Sequence, residues 1–316
     1  MTVRNQIRLL CAPAMVACLL APASARADIF YVSYYAQHTI EKFSSTGSDL
    51  GAFANTGGGA AGLAFNSAGD LYVTNASDNA IQKFTPGGVG STFANTGLRY
   101  PFGLAFDSVG NLYAANGADN TIERFTPGGV GSVFANTGMD LPVGLAFDGA
   151  GNLYVSNQNG NHIEKFSPSG VDLGAFANTG LNTPEGMAFD GAGNLYVASQ
   201  ADNAIVKFTP GGIGSVFANT GLDSPVGLAF DRVGRLYVAN QNGGHIERFS
   251  ASGVDLGVFA STGSNQPLFI AVTDDAGNPL PLPVVPEPSS IVLGGLALLT
   301  VLRTSQFRGR HRTKTR

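Results

Sequence analysis

Short apolar or alternating runs of four or five residues recur along most of the chain, separated by clusters of turn formers. In the stretch PFGLAFDSVGNLYAANGADNTIERFTPGGVGSVFANTG, the runs GLAF, NLYAA, TIERF and GSVFA have strand length and composition. Nothing between them is long enough, or periodic at 3.6 residues, to predict a helix. The separators Asp-x-x-Gly-Asn, Gly-Ala-Asp-Asn and Thr-Pro-Gly-Gly supply turns: Pro presets the first turn position and Gly accepts a positive φ at the next.

The pattern is one unit repeated. Aligned on Ile-x-x-Phe, the copies place Phe43, Phe84, Phe125, Phe166, Phe208 and Phe249 at spacings of 41, 41, 41, 42 and 41. Four antiparallel strands in such a unit describe a propeller blade. Five complete units start near Ala60, Pro101, Pro142, Pro184 and Pro225. The segment from Asp28 supplies three further strands, and PLFIAVT (Pro267 to Thr273) supplies one more. These fragments sum to a sixth blade, so the expectation is an all-β, six-bladed propeller over residues 28–278. Its ring is closed by a C-terminal strand pairing beside the N-terminal three, which leaves few exposed edges.

With no Trp in the chain, the WD40 and kelch signatures are absent. The unit P-x-G-L-A-F-D-x-x-G-N-L-Y-V-x-N…N-x-I-x-K-F resembles the NHL repeat and its six-bladed relatives. Among those relatives, gluconolactonase-like enzymes hold a divalent cation with carboxylate or amide ligands from the middle of the Pro-x-Gly segment, read here as a turn. Here that position holds Ala61, Phe102, Val143, Glu185, Val226 and Leu268. Only Glu185 carries over. Calcium wants six to eight oxygens, so no metal is expected and no other cofactor is implied; Glu185 reads as a solvated rim residue.

The loops between second and third strands, expected on the same face, divide the blades into two kinds. Three carry Asp78-Asn79, Asp119-Asn120 and Asp202-Asn203. The other three carry His38, His162 and His245, with His38 shifted by one position. Three such histidines could ligate zinc or serve as a base, but no partner carboxylate is evident at fixed spacing, and exposed polar loop residues are the simpler reading. Second-strand ends form the series Tyr34, Asn75, Asn116, Asn157, Ser199 and Asn240. Asn there satisfies local backbone groups or presents amides to sugar hydroxyls. The Asp-x-x-Gly turns at Asp107, Asp148, Asp190 and Asp231 are read as hairpin geometry, and Tyr72, Tyr113, Tyr154, Tyr196 and Tyr237 as packing between blades. The candidate ligand-binding set is therefore Glu185, Asp78, Asn79, Asp119, Asn120, His162, Asp202, Asn203 and His245, with no catalytic residue assigned.

Composition matters chiefly at the ends. Arg4 and Arg8 precede an apolar run from Leu9 to Leu20 and then Ala25-Arg26-Ala27, the order of a secretory signal with cleavage after Ala27. Both cysteines, Cys11 and Cys18, fall inside it, so the mature body has no disulfide or thiolate chemistry. Residues 279–288 form a Pro-rich spacer ending in Pro286, Glu287 and Pro288, followed over 289–316 by an apolar segment (Ile291 to Leu302) and a basic end. This order resembles the PEP-CTERM sorting signal of bacteria. The resemblance implies membrane residence through the C-terminal segment, processing by an exosortase-type peptidase, and export to a polysaccharide-bearing envelope or matrix.

Without the two ends, nine of the 18 Lys and Arg and 21 of the 22 Asp and Glu remain, a net charge of about −12. An acidic exported body argues against nucleic acid as a partner. No Gly-x-Ser-x-Gly, Walker loop or paired-acid arrangement stands out. Near-identity among the blades favours binding or scaffolding over catalysis, with exopolysaccharide or an envelope protein as partner; a metal-dependent lactonase or a lyase is the alternative.

Overall fold

The computed structural model describes residues 27–263 and 265–280. The expected signal segment, up to Arg26, and the expected sorting segment with Pro286, Glu287 and Pro288 lie outside the described residues.

The described chain is built of 24 strands, β1 to β24, and no helix. They form six four-stranded antiparallel sheets arranged as a six-bladed propeller. The first blade joins β24 (Pro267–Asp274) to β1 (Asp28–Tyr34), β2 (Thr39–Phe43) and β3 (Asp49–Asn55). Blades two to six are continuous in sequence. They begin at β4 (Ala60–Phe65), β8 (Pro101–Phe106), β12 (Pro142–Phe147), β16 (Pro184–Phe189) and β20 (Pro225–Phe230). The expected closure is present: β24 pairs with β1 from Asp28↔Asp274 to Tyr34↔Pro267, with one register shift.

The core lies in the seams between blades. At five of the six seams a second-strand tyrosine packs edge-on between two phenylalanines, one from its own outer strand and one from the next blade. Tyr196, for example, sits 4.9 Å from Phe217 and 5.0 Å from Phe230, centroid to centroid. The last seam departs from this pattern. There Val272 takes the place of the first-strand phenylalanine, and Phe30 from β1 fills the space, 4.4 Å from Tyr237.

Pro-x-Gly is not a turn, contrary to the sequence expectation; it opens the innermost strand. The register slips there, as between Pro142 and Leu145 against β13 (Leu153–Asn157). Its glycine is required by close approach. A Cβ on Gly144 would lie 2.3 Å from the Glu185 carbonyl oxygen, and one on Gly103 2.3 Å from that of Val143. In five of the six blades the innermost strands therefore converge on the channel at a spacing that only glycine permits.

Candidate functional site

The face holding the starts of the innermost strands also carries the loops from second to third strands, because each innermost strand begins opposite the end of the second (Pro142↔Asn157). At the centre of this face the channel opens into a cavity of about 320 Å3. Its apolar floor is Val143, Val226 and Leu268. Blades one and three contribute the rings of Tyr35, Phe269, Tyr100 and Phe102, blades four to six the amides of Gln158, Gln200 and Gln241 together with Glu185, and Gln266 joins them from just before β24.

Glu185 is not a solvated rim residue. It is only 5% exposed, packed among its neighbours around the channel. Its backbone is fixed by the preceding blade: Ser156 Oγ accepts from the Gly144 amide at 2.7 Å and donates to the Glu185 carbonyl at 2.6 Å. Its Oε1 accepts a hydrogen bond from Gln158 Nε2. Burial pushes the carboxyl up to about 7, with the Gln158 bond pulling weakly the other way.

Glutamines and aromatics reach the mouth for identifiable reasons. The position just past each second strand reads Tyr35, Ala76, Gly117, Gln158, Gln200 and Gln241 around the ring. On one side small residues make room for rings: a Cβ on Gly117 would lie 2.9 Å from the Phe102 ring, and one on Gly59 2.4 Å from that of Tyr35. The hydroxyls of Tyr35 and Tyr100 meet at 3.3 Å. On the other side Gln200 Nε2 donates to Gln241 Oε1 at 3.1 Å. In the closing blade Phe269 replaces the Gly of Pro-x-Gly and adds a further ring.

Of the nine candidate residues, the structure brings only Glu185 into this cavity. The Asp-Asn pairs tie blade to blade. Asn79, Asn120 and Asn203 hold φ between 49° and 54°, a left-handed conformation that Asn tolerates better than most residues. Their Oδ1 atoms accept the amides of Tyr100, Leu141 and Ser224 at 2.7, 2.8 and 2.7 Å. His38 occupies the same left-handed position (φ 58°), as its one-residue shift implies. Asp78 accepts from Asn75 Nδ2 at 2.8 Å, Asp202 from Ser199 Oγ at 2.8 Å, and Asp119 pairs with Arg99 at 2.9 Å.

His162 and His245 do have partner carboxylates, which the sequence reading missed. His162 Nε2 lies 3.3 Å from Glu164, and His245 Nε2 lies 3.2 Å from Glu247. Residues i and i+2 of a strand share a face, so His-x-Glu was the overlooked signal. Burial, then the adjacent Asp172 or Asp255, pushes Glu164 and Glu247 up to about 7 against the pull of the histidines. Among the described residues no group of three His, Cys, Asp or Glu side chains is placed to hold a metal ion.

The second-strand Asn series plays the local role expected of it: Asn116, Asn157 and Asn240 donate to the Gly97, Gly138 and Gly221 carbonyls at 2.8 to 3.0 Å. The Asp-x-x-Gly turns likewise close on themselves; Asp148 Oδ1 accepts from the Ala150 and Asn152 amides at 2.9 and 2.8 Å.

No protein-family model matches the sequence, and no curated protein matches it. Solved structures match by fold. A chain of a nidogen/laminin complex superposes with a TM-score of 0.70 at 21% identity, covering 78% of this chain and 98% of that one. Virginiamycin B lyase from Staphylococcus aureus gives 0.58 at 20% identity, over 66% of this chain and 73% of that one. A gluconolactonase from Xanthomonas campestris gives 0.59 at 18% identity, over 68% and 82%. At these identities the likeness establishes the architecture. The chain is a six-bladed β-propeller whose structural neighbours include both a partner-binding assembly and enzymes.

Proposed function

We propose that this protein is an exported, non-catalytic binding propeller that captures a polar partner from the cell envelope or matrix at the mouth of its channel. One observation carries the reading: the mouth gathers one buried carboxyl, several amides and aromatic faces in a cavity lined, among the described residues, by no His, Lys or Arg. Amides give and take hydrogen bonds with hydroxyls, and aromatic faces cover apolar ring surfaces. Together they suit polysaccharide. Export and surface residence rest on the signal-like and sorting-like segments at the chain ends.

The reading is tested by binding of the full-length chain to an array of bacterial exopolysaccharides, beside a Gln200→Ala, Gln241→Ala double variant. Capture by the wild type that falls about tenfold or more in the variant, with matching thermal melts, supports it. Equal capture by both proteins would move the site away from the mouth.

Catalysis is the second reading. It is favoured by the Glu185 carboxyl, pushed up to about 7, the range of a general base. Among the described residues the only other titratable side chains in the lining are Tyr35 and Tyr100, a poor complement for acid–base work. Turnover of lactones by the wild type, abolished in Glu185→Gln, would replace the binding reading with this one.

A further inference from the structure

The chemistry of the mouth selects the charge of its ligand. Glu185 lies at the wall of the cavity, and among the described residues its carboxyl receives a hydrogen bond from Gln158 alone. Among the described residues no cationic side chain lines the cavity, so the ionised carboxyl has no counter-charge from them within it. A buried carboxylate without a partner is costly, and a ligand that supplies the opposite charge removes that cost. An anionic ligand would meet a carboxylate and no cation. A neutral one would leave the charge unpaired.

A primary ammonium fits on three further counts. Its three N–H donors match the carboxylate and the nearby glutamine carbonyl oxygens. Tyr35, Tyr100 and Phe102 present rings to the same cavity, and ring faces attract a cation held close to them. Outside the two end segments the chain carries about −12, a field that draws cations toward it. The remaining amides exceed what one ammonium uses: Gln200 and Gln241 bond each other through one N–H and one oxygen, and Gln266 is exposed at the mouth. These groups suit hydroxyls around the amine. The cavity volume, about 320 Å3, sits at the low end of small-ligand pockets and suits a single ring better than an extended peptide.

We propose that the mouth binds a protonated primary amine carried on a sugar ring, with the ammonium on the Glu185 carboxylate and the hydroxyls on the glutamine amides. The proposal rests on the reading of the mouth as the binding site and names its ligand class: a polysaccharide bearing free amino groups.

The test is calorimetric titration of the full-length chain at pH 7 with four probes: a glucosamine oligosaccharide, its fully N-acetylated form, a glucose oligosaccharide and a short lysine peptide. The expected result is glucosamine binding at least tenfold tighter than the acetylated and glucose forms. Glu185→Gln should remove that preference, and Glu185→Asp, which keeps the charge, should retain part of it. Thermal melts establish that the variants fold. Equal binding of the amino and acetylated forms, or a preference unchanged in Glu185→Gln, overturns the proposal. A lysine peptide that binds more tightly than the glucosamine probe overturns the sugar assignment in favour of a peptide partner. No binding by any probe also overturns it. In that case a Gln200→Ala, Gln241→Ala variant that still loses array capture would keep the mouth as the site and reject only its ligand class.

Discussion

The seams between blades and the mouth of the channel are made from the same repeat, and they use it in opposite ways. Five seams repeat a tyrosine between two phenylalanines at nearly the same distances, from Tyr31 with Phe53 and Phe65 to Tyr196 with Phe217 and Phe230. Each seam does the same work, so the same residues serve at each. At the mouth, two positions per blade diverge. One reads Ala61, Phe102, Val143, Glu185, Val226 and Leu268; the other reads Tyr35, Ala76, Gly117, Gln158, Gln200 and Gln241. Repetition holds the ring together, and departure from repetition makes a site with an aromatic side and a polar side. Substitutions in the two regions should therefore separate stability from binding.

The largest effect is expected at the splice. Deleting Pro267 to Thr273 removes most of the strand paired with β1 and exposes Phe30 and Val32 on β1. The protein should lose its cooperative thermal transition, and an unchanged melting temperature would refute closure by β24. A single seam comes next. Tyr196→Ala empties a fully buried space between Phe217 and Phe230 and should cost about 3–5 kcal/mol in denaturant unfolding, in the range of large aromatic truncations.

At the mouth the sign reverses. The Glu185 carboxyl titrates near 7 when folded, against an ordinary 4.5, so its pKa is raised in the native state. The protonated form costs nothing. The penalty grows as pH rises from about 4.5 and is complete above about 7, reaching about 3 kcal/mol. Glu185→Gln should therefore be more stable than wild type at pH 8 and nearly equal to it at pH 4, as read from urea midpoints across pH. Glu164 and Glu247 are raised in the same direction, so some decline with pH should persist in the variant.

Glycines sharpen the comparison further. Gly144→Ala would push a Cβ against the Glu185 carbonyl and should cost about 1–3 kcal/mol, the usual range for overpacking. Gly149→Ala has nothing within 4 Å of the added Cβ and should be neutral or slightly stabilising. The smallest expected change in stability is at Gln200→Ala, within about 0.5 kcal/mol, although the same change should weaken binding.

The fold was legible because it is periodic. Spacing of the Ile-x-x-Phe copies, turn chemistry and the two terminal fragments were enough to place all six blades and their closure. The site was only half legible. Glu185 stood out by differing from Phe102, Val143 and Val226, yet its burial depends on Gln158 from the preceding blade and on the closed ring, neither of which is local in sequence. Gln158, Gln200 and Gln241 were overlooked because they follow the conspicuous series Asn157, Ser199 and Asn240 by one residue. Reading that next position around the ring would have found them. Pro-x-Gly was misread as a turn because glycine is ambiguous: it serves positive φ in turns, but at Gly144 it serves the close approach of another backbone. The Asp-Asn pairs drew notice as exposed polar groups, while their oxygens were committed to the next blade's amides.

The most direct test is a carbon-13 NMR titration of the Glu185 side-chain carboxyl, with and without a bound glucosamine oligosaccharide. The account predicts a midpoint near 7 in the free protein that moves down when the ammonium binds. A midpoint near the ordinary 4.5 in the free protein, unmoved by the sugar, would contradict both the buried site and its ligand.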